Sequence, residues 1–325
     1  MQRKLKRAAT IVPLRNTIKT ANRISPTASQ TCLTIDDMTS KASLILFALI
    51  LSACSSNPKT LIQTTRSKPG TNFCKLQVVG NQIQDAHGNV FVLHGANVPT
   101  IAEMEASPQK PMQRLQDLAN DGAKIVRLPV DENELIPSFV PEKLTPVIEQ
   151  ANKLGMVVVV RYRNNPKKTL NTQADEAEDF LRQMLSYPIG FVPGLWFEPF
   201  DQPIPHPRNR GATQAMVDVV RGLKSDAIML ISNMEEDSQD PAKLLSSTNL
   251  VYGIYDVEHA SHYPTNKAPF MYPSWLSRSV ADDEYKIGVI AQSYEKDSTG
   301  LNGEVLRKYW QAQNAKYGNN LLGCS

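Results

Sequence analysis

The feature that most constrains this chain is a regular alternation of short apolar runs with amphipathic stretches. The runs "VFVLHGANV", "AKIVRLPV", "MVVVVRYR", "GLWFEPF", "AIMLIS", "LVYGIYDV", "KIGVIAQSY" and the brief "NLLG" have the length and composition of buried strands. Between them, "PMQRLQDLANDG", "PEKLTPVIEQANKLG", "ADEAEDFLRQMLSYP", "TQAMVDVVRGLKSD" and "EVLRKYWQAQNAKYG" place apolar residues at three- and four-residue spacing, and several end in glycine, as helices do. Buried strands separated by helices argue for a parallel sheet, and about 250 residues is the usual size of a closed eight-fold barrel. The expected fold is therefore α/β, a (β/α)8 TIM barrel over residues 74–325. An open doubly wound sheet competes with it, but "LHGANVPT" has one glycine where a dinucleotide loop needs three, so the barrel is favoured and no nucleotide cofactor is expected. Ahead of the barrel, "KLQVVGNQIQDAHGNVFVL" reads as two alternating runs around "DAHGN", whose Gly88 and Asn89 suit a tight turn. This predicts an N-terminal β-hairpin at the barrel's base.

The segment "MTSKASLILFALILSACSS" has one lysine, an apolar core over residues 44–51 and small residues before Cys54, which reads as a secretory signal over residues 38–53. Its apolar run is short for a membrane span. The stretch Leu51, Ser52, Ala53, Cys54 resembles the lipobox of bacterial lipoproteins, which implies that Cys54 carries lipid and anchors the protein to a membrane of the bacterial cell envelope. Residues 1–37 carry Arg3, Lys4, Lys6, Arg7, Arg15, Lys19 and Arg23, with no acid before Asp36. They read either as a basic arm for nucleic acid or as an over-extended start, and the second is preferred because a signal needs a free N-terminus. Removing residues 1–53 takes away eight basic and two acidic residues, so the balance moves from 35 against 32 to 27 against 30. The remaining protein is mildly acidic, and no nucleic-acid partner is expected. Residues 54–73, lipidated Cys54 and then Ser, Thr, Asn, Lys and Pro, suit a flexible tether.

With Cys32 removed and Cys54 committed to lipid, Cys74 and Cys324 remain at the two ends of the domain, and in an oxidising compartment they can pair. Against this, Cys74 precedes a hairpin expected at the barrel's bottom, whereas Cys324 follows the expected eighth strand and belongs nearer the top. Bridged Cα atoms must lie within about 7 Å. Sequence alone leaves the pairing open.

The spacing Gly80, Ile83, Asp85, Gly88, Leu93, Gly95, Asn97, followed by Val126, Arg127, Leu128, Pro129, resembles the opening of the glycoside hydrolases of family 5, the cellulase family. "LTPVIEQANKLGMVVVV" matches that family's second helix and third strand in style, and the resemblance is strongest in the first half of residues 76–325. It implies a (β/α)8 barrel with one catalytic glutamate in Asn-Glu-Pro after the fourth strand and a second after the seventh. Retaining hydrolysis uses the two about 5 Å apart, one to protonate the leaving oxygen and one to attack the anomeric carbon. Aligned here, Asn-Glu-Pro becomes Asp201, Gln202, Pro203, and the second glutamate falls on Gln292. A glutamine can hydrogen-bond a sugar hydroxyl, but it neither supplies a proton of useful acidity nor forms a glycosyl ester. The family's sixth-strand His-x-Tyr falls on Tyr255, Asp256 and Val257, and its third-strand histidine is replaced among Arg161, Tyr162 and Arg163. No counterpart of the tryptophan after the eighth strand is found in "NLLGCS".

The resemblance and its departures together imply a pseudo-glycosidase that binds an oligosaccharide or polysaccharide without cleaving it. Gln202, Gln292, Asp201 and Arg127 would form the remaining cleft, with Tyr162 and Tyr255 on its walls. Two other readings stay open. Asp201 with Glu198, Asp256, Glu258 or Glu295 would be a relocated carboxylate pair of an active hydrolase, or the barrel would be an envelope scaffold presenting loops to a protein partner. Trp196, Tyr294 and Trp275 read as sugar platforms or as packing, with packing preferred for Trp196. His206, His259 and His262 lack the spacing of a metal motif, so no metal is expected.

Overall fold

In the computed structural model the chain divides into two units, Met1–Gln63 and Thr64–Ser325. The residues described are 73–200, 209–232, 244–253, 269–275, 288–291, 303–318 and 320–323, all within the second unit.

Three short strands come first: β1 (Gln77–Val79), β2 (Gln82–Gln84) and β3 (Val90–Phe91), antiparallel in that order. The predicted hairpin is thus a three-stranded meander with two turns. Gly80, at φ +60°, supplies the left-handed residue of the first turn. The second is closed by the Asp85 carboxylate, which accepts from the backbone N–H of His87 (2.8 Å) and Asn89 (2.9 Å) and from Asn89 Nδ2 (2.8 Å).

Eight parallel strands then close a barrel in chain order: β4 (His94–Asn97), β5 (Ile125–Val130), β6 (Val157–Tyr162), β7 (Leu195–Glu198), β8 (Met229–Ile231), β9 (Leu250–Gly253), β10 (Phe270–Trp275) and β11 (Gly288–Ala291), with β11 returning to β4. Helices among the described residues are α1 (Ile101–Ala106), α2 (Pro111–Asn120), α3 (Thr145–Lys153), α4 (Leu170–Leu185), α5 (Asn209–Gly222) and α6 (Gly303–Tyr317). Local sequence sets several of their ends. Thr100 and Glu103 form a reciprocal capping box at α1. Gly155, at φ +72°, turns the chain out of α3 and into β6.

Alternate strand residues face opposite sides and build two cores. Val126, Leu128, Val158, Val160, Phe197 and Ile231 face the helices. Ile125, Val157, Val159, Trp196, Leu230, Val251 and Ile290 fill the lumen, where Ile83 and Phe91 of the meander and Phe73, Leu76 and Leu321 pack beneath them as a floor.

Two expectations about strands are corrected. "FMYPSW" supplies the seventh strand, although Pro273 within it removes a ladder donor; the β10–β11 register shifts between Tyr272 and Trp275, as an irregular strand requires. "KIGVIAQSY" therefore contributes the eighth strand. "NLLG" contributes no barrel strand, because Leu322 forms an isolated antiparallel bridge with Phe73 and the Leu321 carbonyl accepts from Cys74 N–H at 2.9 Å. That placement removes the expected separation of the two ends: residues 321 and 322 lie beside Cys74, at the floor. Cys74 is disulfide-bonded. Cys324 lies outside the described residues.

Candidate functional site

Above the apolar layer, the next lumen-facing position on each of six successive strands changes character. Gly95 is followed by Asn97, Ile125 by Arg127, Val159 by Arg161, Trp196 by Glu198, Leu230 by Ser232 and Val251 by Gly253. The C-terminal end of the lumen is thus polar where the floor is apolar. In closed barrels this is the end that carries chemistry.

Arg127 and Glu198 dominate it. Arg127 Nε donates to Glu198 Oε2 at 2.5 Å and Nη2 donates to Oε1 at 2.6 Å, a bidentate pair whose members are 1% and 0% exposed. Nη1 donates to Asn97 Oδ1 at 3.1 Å, and Asn97 Nδ2 donates to the Ala291 carbonyl at 3.1 Å. One network therefore ties β11, β4, β5 and β7 across the lumen. Arg161 stands in register with Glu198 on the neighbouring strand.

Glu198, one of the acids proposed to partner Asp201 in a relocated pair, turns both oxygens to a guanidinium. A general acid must present its proton to the leaving oxygen and a nucleophile must present a free oxygen to the anomeric carbon. In this geometry Glu198 does neither. Its role was hard to see in sequence because its partner lies 71 residues away. The available signal was Arg127 itself, since a guanidinium buried in a lumen needs a carboxylate.

Tyr162 is corrected. It faces the helices, not the cleft, with its ring stacked on Phe180 of α4 (centroids 5.8 Å apart, planes 27°) and its hydroxyl donating to Glu176 Oε2 at 2.9 Å. Burial first and the Glu176 hydrogen bond second push its phenol well above the ordinary range. Trp196, read as packing, is 1% exposed within the floor cluster.

Outside the lumen, the ends of β5 and β6 carry a charged rim that sequence reasoning missed. Arg163 Nε and Nη2 donate to the two Asp131 oxygens, each at 2.5 Å. Lys168 bridges Glu132 and Glu176, and hydrogen bonds to these two carboxylates, Glu132 first, raise its pKa. Burial raises the pKa of Glu134 nearby. Among the described residues no group of three or more His, Cys, Asp or Glu is placed to hold a metal ion. A cavity of about 110 Å³ opens on the floor side, between Trp196 and the Lys75–Asp226 ion pair, away from the polar end.

Asp201, Gln202, Tyr255 and Gln292 lie outside the described residues, as do Asp256, Glu258, Tyr294, Glu295, the three candidate histidines and Cys54. The strand order still corrects one of these readings. Gln292 directly follows β11, the eighth strand, so it does not hold the position after the seventh strand where the resemblance puts the second glutamate. The seventh strand ends at Trp275.

No protein-family model matches the chain, and no curated protein matches it by sequence. Solved structures do match it in three dimensions. A β-glucanase from Saccharophagus degradans superimposes with a TM-score of 0.62 at 13% identity, over 74% of this chain and 94% of that one. The catalytic domain of a Thermobifida fusca endoglucanase gives 0.55 at 16% identity, over 74% of this chain and 100% of that one. A β-mannanase from Thermomonospora fusca gives 0.55 at 15% identity, over 72% and 88%. At these identities the likeness shows the fold.

Proposed function

We propose that this chain is an exported lipoprotein, anchored through Cys54 to a membrane of the bacterial cell envelope, whose barrel binds a glycan at the C-terminal end of its lumen without hydrolysing it. The observation that carries the reading is the bidentate Arg127–Glu198 pair, which occupies the one lumen carboxylate among the described residues. Gln202 adds to it, standing where the resemblance calls for an acid/base glutamate. The support for a glycan is the likeness in fold to a β-glucanase crystallised with cellotetraose and a β-mannanase crystallised with mannohexaose. Polar groups gathered at the mouth of an otherwise apolar lumen suit a ligand with many hydroxyls.

The test is binding and turnover of cellotetraose, mannohexaose and a wider polysaccharide panel by the chain and by its Gln202→Glu variant. Saturable binding with no released reducing ends is the expected result for the natural sequence. Turnover by the natural sequence would overturn the non-catalytic part of the reading, and the absence of binding across the panel would overturn the glycan itself.

A further inference from the structure

The outer surface of the floor carries features that folding does not require. The helices run back antiparallel to the strands, so Lys153 at the end of α3, Lys224 just after α5 and Lys316 in the last turn of α6 return to the floor end, and all three are exposed. Lys124, half-buried, stands there too, just before β5. Of the acids at this end, Asp85 is locked in its turn, Asp226 pairs with Lys75, and Asp121 is half-buried. Positive charge is in excess over the described part of the floor.

Apolar side chains accompany the cations. Among the described residues four large apolar side chains are exposed, and two of them, Val79 (46%) and Leu322 (37%), lie at this end. Val79 closes β1 of the meander, and Leu322 sits against the turn at Gly155 that follows α3, where an added Cβ would meet it at 3.4 Å. A helix dipole favours cations at helix C-termini, but it gives no reason to leave Val79 and Leu322 in water beside them. Lysines mixed with exposed apolar side chains suit a bilayer that contains anionic lipid, where the cations meet headgroup phosphates and the apolar tips enter the boundary with the acyl chains.

The direction of the chain agrees. Phe73 is part of the floor, and Cys54 lies 19 residues before it, so a lipid on Cys54 holds the barrel from its floor side. At the opposite end, cations are taken up by neighbouring acids: Arg163 pairs with Asp131, Lys168 with Glu132 and Glu176, and Lys143 with Glu105. We infer that the floor is a docking surface for the anionic phospholipid face of the membrane that holds the protein, and that docking turns the polar mouth of the lumen away from the bilayer. This inference rests on the Cys54 anchor of the proposed function and adds to it an orientation.

The test uses the full chain as the cell processes it, reconstituted in vesicles of phosphatidylglycerol or of phosphatidylcholine and treated with an uncharged amine-acylating reagent, with labelling read lysine by lysine in the mass spectrometer. Lys153, Lys224 and Lys316 are expected to label at least about fivefold more slowly on phosphatidylglycerol, because each lysine near such a surface shifts the docked population by about that factor. Lys143 and Lys167, at the mouth, are expected to label equally on both. Salt at about 1 M, which screens charges within about 3 Å, should abolish the difference. Equal labelling of the floor lysines on both vesicles overturns the docking surface while leaving the anchor in place. Slower labelling of Lys143 and Lys167 instead overturns the orientation. The mass of the peptide that contains Cys54, read in the same sample, keeps the two readings apart: a cysteine without lipid overturns the anchor and this inference with it.

Discussion

The two ends of the barrel lumen are built from the same strands and the same side of each strand, yet they are chemically opposite. At the floor, Ile125, Val157, Val159, Trp196, Leu230, Val251 and Ile290 meet Phe73, Leu76, Ile83, Phe91 and Leu321 with no charge among them. One lumen position further along, the residues are Asn97, Arg127, Arg161, Glu198 and Ser232. Burial of apolar area stabilises a fold at about 25 cal/mol per Å², so the floor favours folding directly. A buried ion pair gives no such return, since desolvation of the two charges roughly cancels their attraction. Charge at one end only therefore does not serve the fold as the floor does, and it fits the proposal that the polar end is the ligand-binding end.

Breaking the pair is the largest test of that contrast. Arg127→Leu leaves Glu198 buried without its bidentate partner, and the expected loss of stability is about 3–5 kcal/mol. The double variant Arg127→Met with Glu198→Leu makes the upper lumen resemble the floor and is expected to recover most of that loss, because hydrophobic replacement of a buried pair is often neutral or stabilising. Denaturant unfolding of the single and double variants measures both. A double variant as unstable as the single one would show that the fold needs these charges, and the functional contrast between the ends would collapse.

The contrast also marks what was legible in the sequence. The six strands from β4 to β9 and most helices announce themselves through periodicity, and Arg127 through its place in Val126–Pro129. Strand β10 was hidden by Pro273, which breaks the usual strand pattern, and that single omission moved Gln292 from the eighth strand to the seventh. Tyr162 was misassigned for a different reason. Strand β6 reads Val157, Val158, Val159, Val160, buried on both faces, so no alternation distinguishes lumen from helix side. Glu198 was visible as an acid but not as Arg127's partner, because contact between distant strands is a property of barrel closure.

The next test acts on the floor. Cys74 is disulfide-bonded, its N–H is held by Leu321, and Phe73 bridges Leu322, so the first and last described residues of the chain are clasped beneath the lumen. If Cys324 is the partner, the bond closes nearly the whole domain into one loop. Cys74→Ser is expected to lower stability by about 2–4 kcal/mol while leaving affinity for cellotetraose or mannohexaose unchanged, since the clasp lies at the opposite end of the lumen. Thermal unfolding and calorimetry on the same variant check the two halves. A loss of affinity as large as the loss of stability would mean that the two ends are not separable.

Tyr162 gives the smallest effect and the sharpest boundary for the site. Its neighbour in β6, Arg161, stands on the opposite side of the strand, so a one-residue difference in parity decides whether a side chain faces the lumen or the helices. Tyr162→Phe keeps the ring on Phe180 and removes only the hydroxyl that donates to Glu176 Oε2. Glu176 retains its ion pair with Lys168, so its carboxylate is not abandoned. The expected cost is therefore that of one hydrogen bond, about 0.5–1.5 kcal/mol, with no change in glycan affinity. Chemical denaturation and calorimetry measure the two quantities independently. If affinity falls instead, ligand contacts extend through the wall of the barrel to its helix side, and the polar end of the lumen is only part of the site.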